Sequence, residues 1–360
     1  MITTISNLTV LRPAFELDQE ESVHWLAQAH VNASRGNLSH EEVLTKLKKV
    51  ALGDQKIRKR GVSIRDGFHR NWDEMEVYKV TQKPSGACFG KRSEVFDRVA
   101  TDKLQQFYPE GAPLPSHLIH VTCTGYVAPS PAQKLISMRN AGSKTQVTHA
   151  YHMGCYASIP ALRIAQGFSS HVDVVHTELC TLHLNPELHD TSQLVVQTLF
   201  ADGFIKYTVQ PGGKGFQILA LNEVTVPETL HMMEWVCKEW GLQMTLTKEV
   251  PVEIARALPV FVANLFKQAG VPEGSKIHYA IHPGGPRIIQ QVAKILELDD
   301  SQVEHSLFVL QNYGNMSSAT LPHVWEKLWK DDRVKDGAYV VSLAFGPGLT
   351  LAGGVFQCAR

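Results

Sequence analysis

Three residues of this chain have side chains and surroundings suited to acyl chemistry: Cys155, His282 and Asn315. Cys155 follows His152-Met153-Gly154 and stands where a helix is expected to begin. His282 ends the strand-like run 276–281 and precedes Pro283-Gly284-Gly285-Pro286. Asn315 follows Tyr313-Gly314 and precedes a second helical stretch. A thiol at a helix N-terminus meets aligned N–H dipoles that favour thiolate, and a nearby imidazolium would lower its pKa further. A glycine beside it permits a sharp turn and close approach of a substrate. Thiolate, imidazole and amide together suit transfer of an acyl group from a thioester to sulfur, followed by carbon–carbon bond formation. The imidazole and the amide would donate hydrogen bonds to a developing enolate oxygen. Taken singly, each type has an ordinary role, since a buried Cys usually packs and an Asn after Gly usually turns the chain. Most of the 17 histidines are likewise expected to be structural. What sets the trio apart is a shared place at strand-to-helix turns, where α/β folds build sites.

The elements that must position them alternate along the chain. Residues 8–11 read as a strand, 20–52 as helix-prone, 56–60 (Lys-Ile-Arg-Lys-Arg) as a tight basic cluster, 61–90 as aromatic loops and 93–107 as a helix. Strands are then expected at 117–123, 146–152 and 172–178, with helices at 132–140 and 155–166. The pattern recurs with strands at 276–281, 307–310 and 338–343 and helices at 287–298 and 316–329. Gly125 and Gly284 lie 159 positions apart, Cys155 and Asn315 160, Val174 and Val340 166. Three successive units at nearly one offset read as an internal duplication. The chain is therefore expected to be an α/β protein of two similar halves, 1–215 carrying the Cys and 216–360 carrying the His and Asn, with parallel strands covered by helices.

Composition narrows the class. Lys plus Arg and Asp plus Glu are each 35 among 360 residues, so the formal net charge is zero, which argues against a dominant face for nucleic acid. A content of 44% hydrophobic and 19% charged residues supports a large core. The six cysteines show no CxxC spacing, which points away from zinc and towards a reduced intracellular setting. No signal-peptide pattern and no run of about 18 apolar residues is present, so the expectation is a soluble cytoplasmic protein without a membrane span. No cofactor or metal site is expected.

Four motifs carry a family resemblance: Gly154-Cys155-Tyr-Ala-Ser, His282-Pro-Gly-Gly-Pro286, Tyr313-Gly-Asn-Met-Ser-Ser318 and Phe345-Gly-Pro-Gly348. In order and spacing across roughly 110–360 the chain resembles the chalcone synthase family, the type III polyketide synthases. The resemblance implies the thiolase fold, with two halves packed as five αβαβα layers, and a homodimer. It implies that Cys155 accepts an acyl starter and that His282 and Asn315 hold malonyl-CoA as it loses carbon dioxide, giving a polyketide of secondary metabolism. It implies a pocket including Phe200 and Met244 at two gate positions, Cys180 and His183 where plant members have Thr, Ala128 where they have a Met reaching into the neighbouring subunit, and Thr124, Ser317 and Phe345. Met244 for Phe implies a softer gate. Basic residues in the region of Lys56, Arg58, Lys59 and Arg60 are implied to bind CoA phosphates. Cys180 is similar to bacterial members that take long fatty-acyl starters, which implies a pyrone- or resorcinol-type product. The alternative on the same fold is a ketosynthase III-like enzyme joining chains bound to an acyl-carrier protein. A ligand-binding member without turnover and a cysteine hydrolase are weaker readings, because the whole trio and the Phe345-Gly-Pro-Gly348 loop are present.

Overall fold

The computed structural model describes residues 2–53 and 55–360. The N-terminal part runs β1 (Thr3–Leu11), β2 (Phe15–Asp18), α1 (Gln19–Ala33), α2 (His40–Val50), β3 (Lys59–Val62), α3 (Phe89–Phe107), β4 (His117–Thr122), α4 (Pro131–Met138), β5 (Gln146–Tyr151), α5 (Ser158–Gln166), β6 (Val172–Leu179), α6 (Thr191–Leu199) and β7 (Asp202–Pro211). The remainder runs β8 (Gly215–Thr225), β9 (Met233–Lys238), β10 (Gly241–Leu246), α7 (Val250–Ala269), β11 (Ile277–Ile281), α8 (Pro286–Ile295), α9 (Asp300–Tyr313), α10 (Thr320–Lys330), β12 (Tyr339–Gly346) and β13 (Thr350–Ala359).

Nine strands hydrogen-bond in the order β11-β12-β13-β8-β1-β7-β6-β4-β5. Outward from the β1–β8 seam the two sides follow one pattern. On one side β1, β7 and β6 are mutually antiparallel neighbours and β6, β4 and β5 run parallel. On the other, β8, β13 and β12 are antiparallel neighbours and β12 and β11 run parallel. The seam itself is short, Thr4 opposite Gln217 and Ile5 opposite Phe216. Strands β6, β12 and β13 are buried on both faces, so their side chains alternate between two cores. Val172 and Val174 of β6 point into a central core with α5 and α10, whereas Val175 and Leu179 pack beneath α1, α3 and α4. Likewise Ala280 and Val340 face the central core, whereas Tyr279, Ile281 and Val341 pack beneath α7 and α8. The result is five layers: outer helices, half-sheet, α5 with α10, half-sheet, outer helices. Among the described residues no helix is long and apolar enough to cross a membrane.

One expected strand is absent. Residues 307–310 lie inside α9, whose start is set by a capping box in which Asp299 accepts from Gln302 N–H and the Gln302 side chain accepts from Asp299 N–H. The second half thus puts a helix where the first has β5, and only Asn315 continues as an isolated parallel bridge to Phe200. The aromatic loops 61–90 belong to the outer N-terminal core. Asp66 accepts the backbone N–H groups of Glu76, Val77 and Tyr78, and Tyr78 packs edge-on against Trp25.

Alternation along β3 divides the basic cluster. Lys56 and Arg58 are exposed and Lys59 is half-exposed, but Arg60 is buried. Its guanidinium donates to Gln19 Oε1 at 2.9 Å, Gln197 O at 2.9 Å, Phe200 O at 2.7 Å and Ser22 Oγ. Burial lowers its pKa to about 10, still charged at neutral pH. All its donors serve the protein interior, so Arg60 is no phosphate ligand, contrary to expectation. Arg60→Met would leave several buried acceptors unpaired. A loss of about 2–4 kcal/mol is expected from the denaturation midpoint, whereas Lys56→Met should leave it within about 0.5 kcal/mol.

Candidate active site

The nucleophile turn is built by close packing of two motifs. After β5, His152 and Gly154 adopt φ of 63° and 74°, and a 3-10 turn, Gly154–Tyr156, leads into α5. A Cβ on Gly154 would lie 2.6 Å from Pro347 Cδ, in a conformation that L side chains rarely adopt. The Phe345-Gly-Pro-Gly348 loop therefore caps the turn that carries Cys155.

Cys155 is 4% exposed. Its sulfur lies 3.7 Å from Ser317 Oγ, which is itself 2.8 Å from Cys123 Sγ. His282 follows β11, with its N–H on Leu343 O at 2.7 Å. Both ring nitrogens of His282 are buried without a protein partner. Asn315 is fixed on both sides: its N–H donates to Leu199 O at 3.1 Å, and its carbonyl accepts from Ala201 N at 2.8 Å. Its side-chain Oδ1 accepts from Ser317 N at 2.9 Å, which orients Nδ2 away as the available donor, with one weak bond to Gly284 O at 3.5 Å. Cys155, His282 and Asn315 line one cavity of about 460 Å³. Phe200, Met244 and Phe345 line it too, as do Val195, Val250, Ile254 and Ile288, so its surface is mainly apolar.

The electrostatics differ from the expected thiolate. Burial pushes the Cys155 thiol up to about 12; the hydrogen bond from Ser317 opposes this and the Glu178 carboxylate adds to it. Burial lowers His282 to about 3. A three-residue turn before a nine-residue helix does not offset removal from water. At rest the site holds a neutral thiol and a neutral imidazole. Glu178, itself raised by burial, accepts from Thr124 Oγ1 at 2.7 Å, Cys123 N at 3.0 Å and Ser318 Oγ behind the nucleophile.

The remaining pocket residues separate. Cys180, Thr124 and Ser317 line a second, inner space of about 10 Å³, together with Phe200 and Met244. His183 lines neither space. Its ring is fixed by Leu242 N, which donates to Nδ1 at 3.2 Å, and by Thr124 O, which accepts from Nε2 at 2.8 Å. It is a packing residue, not a pocket residue as expected. Ala128 lies exposed and lines neither space. Lys56 lies beside Pro286 in a groove between α8 and α9, while Arg58 faces a different groove and bonds Asn312. Sequence reasoning missed Lys248 and Arg287, two exposed cations on the cavity lining, and Trp235 on the inner space. Trp235 was findable, because β9 and β10 form a hairpin in which it stands opposite Met244.

Residues 217–359 match the chalcone and stilbene synthases, C-terminal domain. The probable polyketide synthase 1 of Dictyostelium discoideum is 28% identical over 253 residues, 66% of this chain but 8% of that much longer protein. The 1,3,6,8-tetrahydroxynaphthalene synthase of Streptomyces coelicolor is 27% identical over 275 residues, 73% of each chain. The C-terminal type III polyketide synthase domain of 'Steely1', a type I/III hybrid from Dictyostelium, superposes with a TM-score of 0.85 over 100% of both chains at 23% identity. The C-terminal part of the chain matches that family's domain, and the chain is similar to type III polyketide synthases in sequence and in fold. Its fold is the thiolase-type α/β fold that the resemblance implied.

A neutral resting thiol at Cys155 has a measurable signature. Alkylation of Cys155 by iodoacetamide should speed up about tenfold per pH unit from pH 7 to 9 without a plateau. A plateau with a midpoint near pH 6–7, followed by peptide mass spectrometry of Cys155, would instead reveal a preformed thiolate–imidazolium pair.

Proposed function

We propose that the protein is a decarboxylative condensing acyltransferase that loads an acyl starter from acyl-CoA onto Cys155 and extends it with malonyl-CoA. The observation that carries this reading is one buried apolar cavity lined by the thiol, an imidazole with unpartnered nitrogens and an oriented amide. As the Cys155 sulfur attacks the starter thioester, its proton passes to His282 and from there to the departing CoA thiolate. Malonyl-CoA then binds with its thioester oxygen between His282 and Asn315 Nδ2. The bond to the carboxylate breaks, carbon dioxide leaves, and the electron pair becomes an enolate held by those donors. The enolate carbon attacks the Cys155 thioester, a carbon–carbon bond forms, and the thiolate is released and regains a proton. In a dry site both steps gain from hydrogen bonds that water does not compete for.

The apolar lining supports an aliphatic, fatty-acyl starter, and a pyrone- or resorcinol-type product is the corresponding outcome. Lys248 and Arg287, rather than Arg60, are placed to meet the CoA phosphates at the cavity rim, with Lys56 on the adjoining groove. The same rim would suit the phosphopantetheine of a carrier protein, and relative rates on acyl-CoA and acyl-carrier protein separate the two. Strand β5 ends the nine-stranded sheet with a free edge beside the exposed Tyr126, which favours a homodimer joined along that edge. Six unpaired cysteines favour the cytoplasm.

Incubation with acyl-CoA and labelled malonyl-CoA tests the reading. Cys155→Ala should lose the acyl adduct seen by mass spectrometry; an adduct that persists identifies another nucleophile. Asn315→Ala should slow carbon dioxide release by roughly 10²–10³, and an unchanged rate removes it from the mechanism. Arg287→Ala should raise KM for acyl-CoA by about tenfold with kcat little changed, as for loss of a uniform binding contact. A fall in kcat alone would place Arg287 elsewhere in the cycle.

A further inference from the structure

Four buried polar side chains that the proposed loading and condensing steps leave unused lie in one line: Tyr207, His176, Ser318 and Glu178. Glu178 and His176 stand two residues apart on β6, so both point to the central core, on the face that Val172 and Val174 share. Tyr207 of β7 belongs to the same core. Ser318 stands in the 3-10 turn Ser317–Ala319, just after Asn315. All four are fully buried. Two further partners of Glu178, Cys123 and Thr124, line the inner chamber of about 10 Å³.

Hydrogen bonds join the line end to end. Tyr207 Oη lies 3.1 Å from His176 Nε2, His176 Nδ1 lies 3.0 Å from Ser318 Oγ, and Ser318 Oγ bonds Glu178 Oε1. Such a line can be polarised in two ways. Pointing inward, Tyr207 donates to Nε2, Nδ1–H donates to Ser318, and Ser318 donates to a Glu178 carboxylate. Pointing outward, a protonated Glu178 donates to Ser318, and Nε2–H donates to Tyr207. The phenol proton would then need an acceptor, and among the described residues Tyr207 Oη has no other hydrogen-bond partner. The inward sense is therefore favoured. The remaining contacts of Glu178 agree, since Thr124 Oγ1 at 2.7 Å, Thr122 Oγ1 at 3.2 Å and Cys123 N at 3.0 Å donate to it. Thr124 Oγ1 itself accepts from Leu179 N at 2.8 Å, which leaves its proton for Glu178. Hydrogen bonds of one sense reinforce each other in a dry interior.

We infer that His176 is a positioning residue that, through Ser318, holds Glu178 as a carboxylate behind the nucleophile and so sets the reactivity of Cys155. This rests on the loading step proposed above, in which His282 takes the thiol proton as the starter arrives. The Glu178 charge opposes a second anion at Cys155, so the sulfur keeps its proton until then. The titratable groups packed against His176 are His120 of β4, His323 of α10 and Tyr207, and burial keeps both imidazoles neutral at pH 7. Those facing Glu178 are Cys123, Cys155 and Cys180, whose thiols burial raises. Loss of the His176 donor makes the Glu178 carboxyl easier to protonate. That removes the opposing charge and eases ionisation of the thiol.

The experiment follows iodoacetamide alkylation of Cys155 from pH 7 to 9, by peptide mass spectrometry, in wild type, His176→Phe, His176→Asn, Glu178→Gln and the double variant of His176→Phe with Glu178→Gln. Glu178→Gln should speed alkylation about tenfold at each pH, equal to one pKa unit at the thiol. His176→Phe, which fills the space without a donor, should speed it at least about threefold. His176→Asn, whose amide N–H can stand where Nδ1–H stood, should stay within about twofold of wild type. The double variant should match Glu178→Gln, because His176 acts through that charge. An unchanged or slower rate in His176→Phe or Glu178→Gln, a gain in His176→Asn equal to that in His176→Phe, or additive gains in the double variant overturns the inference. Additivity is what mere loosening of the core would produce. Should Glu178→Gln fail to fold, Tyr207→Phe takes its place. It removes the outermost donor and should speed alkylation without adding to His176→Phe; no gain, or gains that add, overturn the inference equally. Alkylation needs no thioester substrate, so a missing acyl adduct on Cys155 would defeat the condensing activity and leave this comparison intact.

Discussion

The site depends on a two-bond bridge between the halves of the molecule. Leu199 O accepts from Asn315 N, and Ala201 N donates to Asn315 O, so the amide of the second half is fixed to the backbone beside Phe200 in the first. Arg60 supports that bridge from below by donating to Gln197 O and Phe200 O. A buried cation surrounded by carbonyl oxygens is a costly way to hold a loop unless every donor is used, and here each guanidinium nitrogen has a partner. One side chain therefore fixes the cavity-lining Phe200 and, through the bridge, the position of Asn315.

Burial then decides the chemistry. Removing Cys155 and His282 from water disfavours the charge on each, and Glu178 behind them adds a further obstacle to a second anion. Under the proposed chemistry, such a site keeps the Cys155 thiol quiet until a thioester supplies both an electrophile and a place for the proton. The same dryness makes the unpartnered His282 nitrogens valuable, because a hydrogen bond to an enolate there replaces nothing already made. Buried neutral histidines elsewhere act as linkers: His120 joins Thr177 to Tyr151 across neighbouring strands of one sheet, and His176 joins Ser318 to Tyr207. Burial lowers both to about 3, so they stay neutral. The high histidine content thus has a structural share: imidazole is a rigid group that can donate at one nitrogen and accept at the other inside a sheet stack.

The three polar residues that meet in the cavity were legible in the sequence because glycine punctuation and strand periodicity leave strong local marks. The β4–β11 and β6–β12 correspondences follow from that periodicity. Residues 307–310 misled because a four-residue apolar run fits a strand and a buried helix segment alike; the deciding mark was the Asp299–Gln302 cap eight residues earlier. The basic cluster 56–60 misled for a related reason. Charge is visible in sequence, but the side of β3 on which each residue falls depends on tertiary pairing with β2. Lys248 and Arg287, isolated in sequence, meet on one rim only because α7 and α8 pack together.

His183 and Trp235 show how one register choice moves a residue from substrate to scaffold. The sequence placed His183 beside Cys180 in the pocket, yet the 3-10 turn Cys180–His183 turns its ring towards Gly241 and Leu242, at the start of β10. There it holds the hairpin whose opposite strand carries Trp235. The small inner space is thus bounded by the hairpin, through Trp235 and Met244, as well as by the turn that bears Cys180. A change at His183 would act on the chamber only through the position of the Trp235 ring, whereas a change at Cys180 would act on it directly. Two residues three positions apart in sequence thus influence the same space by different routes, one as lining and one as the support of its wall.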